Sequence, residues 1–190
     1  MVDIIHCVTP FYYYLSTTCN VCLGSSLVEE NHDIIPLPMS SSIIKSFSKF
    51  VAPEELSSEN IWFCPYCNKQ TPSTREVSIK SCGPVLIVQL NRFSTFQGKV
   101  TKDDSFFQCL PPATGLKIPI TREDEVSFSD KYSLVATINH SGTLDRGHYW
   151  AFIFDSSNKH WFNCNDRVIF KTDQKSINNN SCYILFYKRN

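Results

Sequence analysis

With 190 residues, the chain falls within the size of one domain and is long enough to bury a core. Lysine plus arginine (18) balances aspartate plus glutamate (18), so the formal charge is zero, without the basic excess that marks most nucleic-acid binders. No apolar run approaches the roughly 18–20 residues of a membrane span, so no membrane association is expected.

Apolar residues come in short β-branched and aromatic runs broken by Pro, Ser, Asn and Gly, which favours strands. Met1 to His6 holds no basic region followed by a long apolar one, so no secretory signal is evident. Nine cysteines without such a signal point to reduced thiols, some bound to metal, in the cytoplasm or nucleus.

Residues 6–38 read as strand, knuckle, strand. The run Phe11-Tyr12-Tyr13-Tyr14-Leu15 leads into Cys19-Asn20-Val21-Cys22. Ile34 to Pro38 is extended, because each proline biases its predecessor away from helix. Residues 40–56 are the best helix segment: Ser40 to Ser42 offer caps, and Ile43, Ile44, Phe47, Phe50 and Val51 recur at helical spacing, with Pro53 as a stop. Trp62-Phe63 precedes a second knuckle, Cys64-Pro65-Tyr66-Cys67. Beyond residue 75 the texture is β: Glu76 to Lys80 alternates, and Val85 to Val88 reads as a strand covered on both faces. Residues 94–117 read as a loop. Four strand segments follow, at 132–138, 149–154, 160–162 and 182–187, the first three close enough for an antiparallel meander. Asn178 to Ser181 reads as a turn.

Two constellations carry chemistry. Each Cys-x-x-Cys turn puts two thiolates on one side of a tight knuckle, and Cys19, Cys22, Cys64 and Cys67 together supply the four-sulfur shell of structural zinc. The 41 intervening residues exceed compact zinc-ribbon spacing, so four buried thiols or a redox pair remain alternatives. Such a site has no open coordination position and would stabilise the fold rather than catalyse. Cys7, Cys82, Cys109, Cys164 and Cys182 read as buried structural thiols.

The second constellation is His148, at a strand start directly after a glycine-containing loop, where a rigid yet accessible general base belongs. A following antiparallel strand ends in Asn165-Asp166, and either residue could orient the imidazole. On spacing alone, a surface or packing histidine is the plainer reading.

The order of these motifs resembles the ubiquitin-specific proteases, papain-like cysteine deubiquitinases. Their histidine box is matched by Tyr132, Leu134, Ala136, His140, Gly142, Gly147-His148-Tyr149, Ala151, Trp161, Asn165-Asp166 and Tyr183 to Tyr187. Pro84 to Phe93 is similar to a family strand, although Gln89 and Asn91 replace its His and Lys. The cysteine knuckles match its zinc-bearing fingers. The resemblance covers nearly the whole chain. It implies an α+β fold with a mostly antiparallel β palm (residues 76–190), zinc-ribbon fingers (about 6–75) and a missing helical thumb. It makes His148 the general base, Asn165 its orienting partner and Asp166 a support. Gly147 and Tyr149 would line the channel for the ubiquitin C-terminal glycines, under a loop at residues 140–147. The implied function is thiol-dependent hydrolysis at the ubiquitin C-terminus, with ubiquitin or a ubiquitinated protein as partner.

The family's cysteine box, Gly-Asn-Thr-Cys-Tyr, occurs nowhere in these residues. Cys7 lacks the helix N-terminus that would lower its pKa, so no cysteine here is expected to serve as nucleophile. The segment alone is therefore expected to be inactive, a fragment or natural half-domain with an apolar surface exposed where the thumb would pack. A non-catalytic ubiquitin-binding module is the alternative. A zinc ribbon that binds nucleic acid is disfavoured by the neutral charge.

Overall fold

The structure is a computed structural model that describes residues 9–109, 115–122 and 125–190; Cys7 lies outside these. In chain order, β1 is Phe11–Cys19, β2 Ser25–His32 and β3 Ile34–Pro38. Helix α1 is Ile43–Val51. Then come β4 Glu54–Leu56, β5 Trp62–Cys64, β6 Lys69–Thr71, β7 Ser73–Cys82, β8 Val85–Asn91, β9 Phe93–Phe96 and β10 Lys99–Lys102. The last are β11 Pro119–Arg122, β12 Glu125–Phe128, β13 Tyr132–Gly142, β14 Gly147–Asp155, β15 His160–Asn165, β16 Val168–Thr172 and β17 Cys182–Arg189.

Two main sheets organise them. A four-stranded antiparallel sheet has the order β2-β1-β7-β4, and a seven-stranded sheet has the order β16-β15-β14-β13-β17-β8-β3. In the larger sheet only β3 runs parallel to its neighbour, β8. The run from β13 to β16 is the antiparallel meander read from the short connectors, extended by one further strand. The sheets do not divide the chain at residue 75. Strand β3 leaves the first sheet to edge the second, and β7 continues in the first as far as Cys82.

The core lies on one face of the large sheet. Leu86, Val88 and Leu90 of β8, Leu185 and Tyr187 of β17, and Ile35 and Leu37 of β3 are buried there, and Ile43 and Phe47 of α1 complete the layer. The run Val85 to Val88 is covered on one face only. Leu86 and Val88 are buried while Val85 and Ile87 stay partly open, as pleat alternation dictates. On the opposite face Ile34, Ile153 and Ile169 are exposed at 46%, 46% and 66%.

Helix α1 is shorter than the 40–56 reading. Ser42 is its N-cap, its hydroxyl accepting from Lys45 N at 3.4 Å, so Ser40 and Ser41 stay outside. Ala52 is extended because Pro53 follows it, and Glu54–Leu56 then pairs with β7. The expected loop at 94–117 instead contains the β9–β10 hairpin, closed at Gln97-Gly98, both with positive φ (48° and 76°). Its strands carry only Phe93, Phe96 and Val100 as apolar residues, too few for a core pattern.

Arg92, 1% exposed, ties this region together: Nε donates to Cys182 O at 2.5 Å, and Nη1 donates to Asp103 O at 2.6 Å and Ser105 O at 3.1 Å. Burial pushes its pKa down. The fixed fork of donors suits three carbonyls converging from two segments.

Candidate active site and metal centre

His148 is the second residue of β14, exposed at the strand mouth. Strands β14 and β15 pair from Ala151–Cys164 to Asp155–His160, so the end of β15 lies beside the start of β14. This register brings Asn165 to His148, with Oδ1 2.6 Å from Nε2. An amide oxygen only accepts, so the imidazole donates through Nε2–H. The Nδ1 lone pair is then left to take a proton from another group. Asp166 follows in the two-residue connection to β16 at φ 51°, exposed and without a side-chain hydrogen bond to a described residue. Of the two sequence alternatives for a histidine partner, the geometry selects Asn165. Among the described residues no thiol bonds His148.

The other face of the same strand ends is built around His140. It lies opposite Tyr149 in the β13–β14 ladder, with ring centroids 4.6 Å apart, and also meets Phe93 and Tyr183. It is 2% exposed, and burial followed by the nearby Lys102 ammonium lowers its pKa. Lys102 Nζ donates to His140 O at 2.9 Å and pairs with Asp104 at 2.8 Å. Gly147 faces this ring, and any Cβ there would collide with it. Gly142, paired with Gly147, has φ 113°, a left-handed-side value suited to glycine. The strands therefore run to residues 142 and 147, and the expected 140–147 loop shrinks to residues 143–146. Tyr149 is 55% exposed beside it. An open cleft of about 760 Å³ runs between this connection and the β9–β10 hairpin, with Phe93, Lys102 and Leu144 among its walls.

At the far end of the small sheet the two cysteine knuckles meet. Cys19 ends β1, and its pairing with Ser73 at the start of β7 folds the long intervening segment back onto it. Asn20 N donates to Pro72 O at 3.0 Å, fixing the approach. The four sulfurs lie within 4.8 Å of one another, with Cys19–Cys67 at 3.9 Å and Cys22–Cys64 at 3.6 Å. A tetrahedron with metal–sulfur bonds of about 2.3 Å has edges of about 3.8 Å, so the donor set fits a four-coordinate ion. Backbone amides of Val21 and Cys67 each point at a sulfur, Cys19 and Cys64 respectively, at 3.4 Å. The Thr71 hydroxyl, 3.2 Å from Cys19, is the main cause that draws that thiol down to about 6, while the hydrogen bond with Cys22 chiefly pushes Cys67 up to about 12. The cluster can bind a metal ion.

A family model for ubiquitin carboxyl-terminal hydrolases matches residues 11–187. The chain belongs to this family. The hydrolase relatives include human ubiquitin carboxyl-terminal hydrolase 42, 30% identical over 88% of this chain and 13% of the relative. The mouse ubiquitin carboxyl-terminal hydrolase 21 is 31% identical over 92% of this chain and 30% of the relative. Among solved structures, the SAGA Ubp8/Sgf11/Sus1/Sgf73 DUB module bound to ubiquitin aldehyde matches with a TM-score of 0.81 and 24% identity, over all of this chain and 43% of the matched one. This likeness shows a fold of the ubiquitin-specific protease type. The chain spans less than a third of either relative's length.

Within the hydrolase fold, the structure brings together His148 with Asn165 and the four cysteines with one another, and it sets Gly147 and Tyr149 beside the mouth of β14. Cys82, Cys109, Cys164 and Cys182 take part in neither site and are buried or half-buried, as read from the sequence. Sequence reasoning missed Trp150, whose indole stacks on His148 at 6.0 Å and 19°. It also gave His140 no role of its own. The signal for Trp150 was its i+2 spacing from His148, which puts both on one face of a strand.

Proposed function

We propose that this chain forms the palm and fingers of a thiol-dependent deubiquitinase, with a nucleophilic cysteine supplied by a segment outside these residues. The observation that carries the reading is the 2.6 Å contact between His148 Nε2 and Asn165 Oδ1 at the open mouth of β14. Asn165 holds the tautomer that leaves Nδ1 unprotonated. Nδ1 takes the proton of the incoming cysteine thiol. The thiolate attacks the carbonyl carbon of the ubiquitin C-terminal residue, and the imidazolium returns its proton to the departing amine. Water, deprotonated by the same Nδ1, then cleaves the thioester. Asp166 supports the site from the adjoining turn, and Gly147 and Tyr149 border the path of the ubiquitin tail. Cys19, Cys22, Cys64 and Cys67 hold zinc, which supplies fold stability and no chemistry. The fingers grip the ubiquitin body, in a cytoplasmic or nuclear setting.

A second reading, a ubiquitin-binding module without catalysis, draws on the absence of a Gly-Asn-Thr-Cys-Tyr box from the 190 residues. The test is cleavage of a fluorogenic ubiquitin C-terminal amide by the zinc-loaded chain, with and without a segment bearing that box. Cleavage only on addition, abolished by His148→Ala with ubiquitin binding retained, supports the enzyme reading. Ubiquitin binding without cleavage in either arm supports the binding module.

A further inference from the structure

We infer that Trp150 is a positioning residue for His148: its indole holds the imidazole in the plane and tautomer that Asn165 requires. The inference rests on the proposed role of His148 and adds a third member to the His148–Asn165 pair.

Residues 148, 150 and 152 point to one face of β14. On that face the Trp150 and His148 ring planes are 19° apart with centroids 6.0 Å apart, a near-parallel offset stack. Residues of the neighbouring strands flank Trp150. Asn139 of β13 lies directly opposite Trp150. The Ala151–Cys164 pairing puts Asn165 at the neighbouring position on its other side. Below it Phe152 is buried at 5% exposure. Trp150 itself is half-buried and packs against the core cluster, while its ring stacks on the exposed imidazole.

The need for such a support follows from the exposure of the pair. A solvent-exposed hydrogen bond between neutral groups competes with water and adds little net stability. An imidazole held by one such bond rotates about its side-chain torsions and samples its other tautomer. A rigid ring stacked on one face removes much of that freedom and shields that face from water. Trp150 touches neither substrate nor reacting atoms, so its effect passes through His148.

The experiment is nitrogen NMR of the ring nitrogens of His148 in the zinc-loaded chain, at a pH where the imidazole is neutral. Wild type, Trp150→Phe, Trp150→Leu and Trp150→Thr are compared. In wild type the Nε2–H tautomer should dominate. If it does not, the catalytic reading of His148 and Asn165 fails, and with it the basis of this inference. With that tautomer present, Trp150→Leu and Trp150→Thr should lower its ratio to the other tautomer by about threefold or more, the range of one weak hydrogen bond, while Trp150→Phe retains most of it. An unchanged ratio in Trp150→Leu overturns the inference and leaves the catalytic reading standing. Threonine suits a strand, so if both Trp150→Leu and Trp150→Thr fail to fold, Trp150 is a core residue and the positioning role is likewise overturned.

Discussion

Gly147 lies diagonally across the β13–β14 ladder from His140, and the imidazole of His140 fills the space that a side chain at Gly147 would need. The two residues therefore fix the separation of the strand ends that carry His148. Gly147→Ala forces the ring to move against Tyr149 and Phe93. Overpacking of this kind costs about 1–3 kcal/mol, which should appear as a lower midpoint in urea unfolding. The His148–Asn165 contact should loosen with it. Wild-type stability in the variant would show that the ring yields freely.

His140 makes stability pH-dependent. Its folded pKa lies below the ordinary value of 6.5, first through burial and then through Lys102. The unfolded chain thus takes a proton on this residue at about 6.5, while the folded chain resists until lower pH. Unfolding free energy should fall as pH drops from about 6.5 towards the folded pKa, and level off below it. His140→Gln removes that component. Urea titrations at about pH 7.5 and about pH 5.5 on both proteins check it: the acid-induced loss should be smaller in the variant.

Removing the metal should unfold the small sheet's tip. The β5–β6 hairpin pairs with no other sheet among the described residues, and the four sulfurs add to the few hydrogen bonds, such as Asn20 N to Pro72 O, that join this segment to the end of β1. Structural zinc sites contribute on the order of 10 kcal/mol to the folding of small domains. A chelator, or Cys64→Ser, should release one zinc per chain and lower the thermal midpoint. Zinc analysis alongside a thermal melt decides it, and a metal-free chain with an unchanged melt would point to four packed thiols.

Arg92 satisfies three carbonyls, those of Cys182, Asp103 and Ser105. Arg92→Met keeps much of the volume and leaves those acceptors without their donor. Each such loss costs about 1–3 kcal/mol when buried, so a total of about 3 kcal/mol or more is expected from chemical denaturation. Arg92→Lys should recover only part of this, because an ammonium lacks the fork.

Asn165→Ala should lower turnover by about 10²–10⁴ in a chain supplied with the nucleophile segment, since the base loses its orienting acceptor. Asn165→Asp keeps an acceptor at the same place and should retain most activity. Steady-state assays with the fluorogenic ubiquitin amide distinguish the two.

The parts legible in the sequence were those with a local signature. The knuckles announce themselves by spacing, and the meander by short apolar runs between turn residues. Motif order pointed to Asn165 as the partner of His148, and the β14–β15 register brings the two together. What escaped was decided by distant segments or lacked a core pattern. The β9–β10 and β11–β12 hairpins carry exposed residues such as Phe96, Val126 and Phe128, so their alternation never resembled a buried strand. Strand β16 was missed for the same reason, with Val168, Ile169 and Phe170 exposed at 60%, 66% and 50%. The role of Arg92 depends on carbonyls up to 90 residues away, which no local pattern encodes. The Trp150 stack follows from the strand period, which sets residues 148 and 150 on one face of β14.

The two borders of the large sheet differ in what they offer to a passing chain. Two of the five residues of β3, Pro36 and Pro38, have no amide hydrogen to give. A strand laid along that border would find few amide donors, which disfavours growth of the sheet in that direction. The border at β16 has no proline, a single lysine and three large apolar side chains. Fibrillar or edge-to-edge self-association, if concentrated solutions of this chain undergo it, should therefore start at β16 and be suppressed by placing a proline or a second charge there.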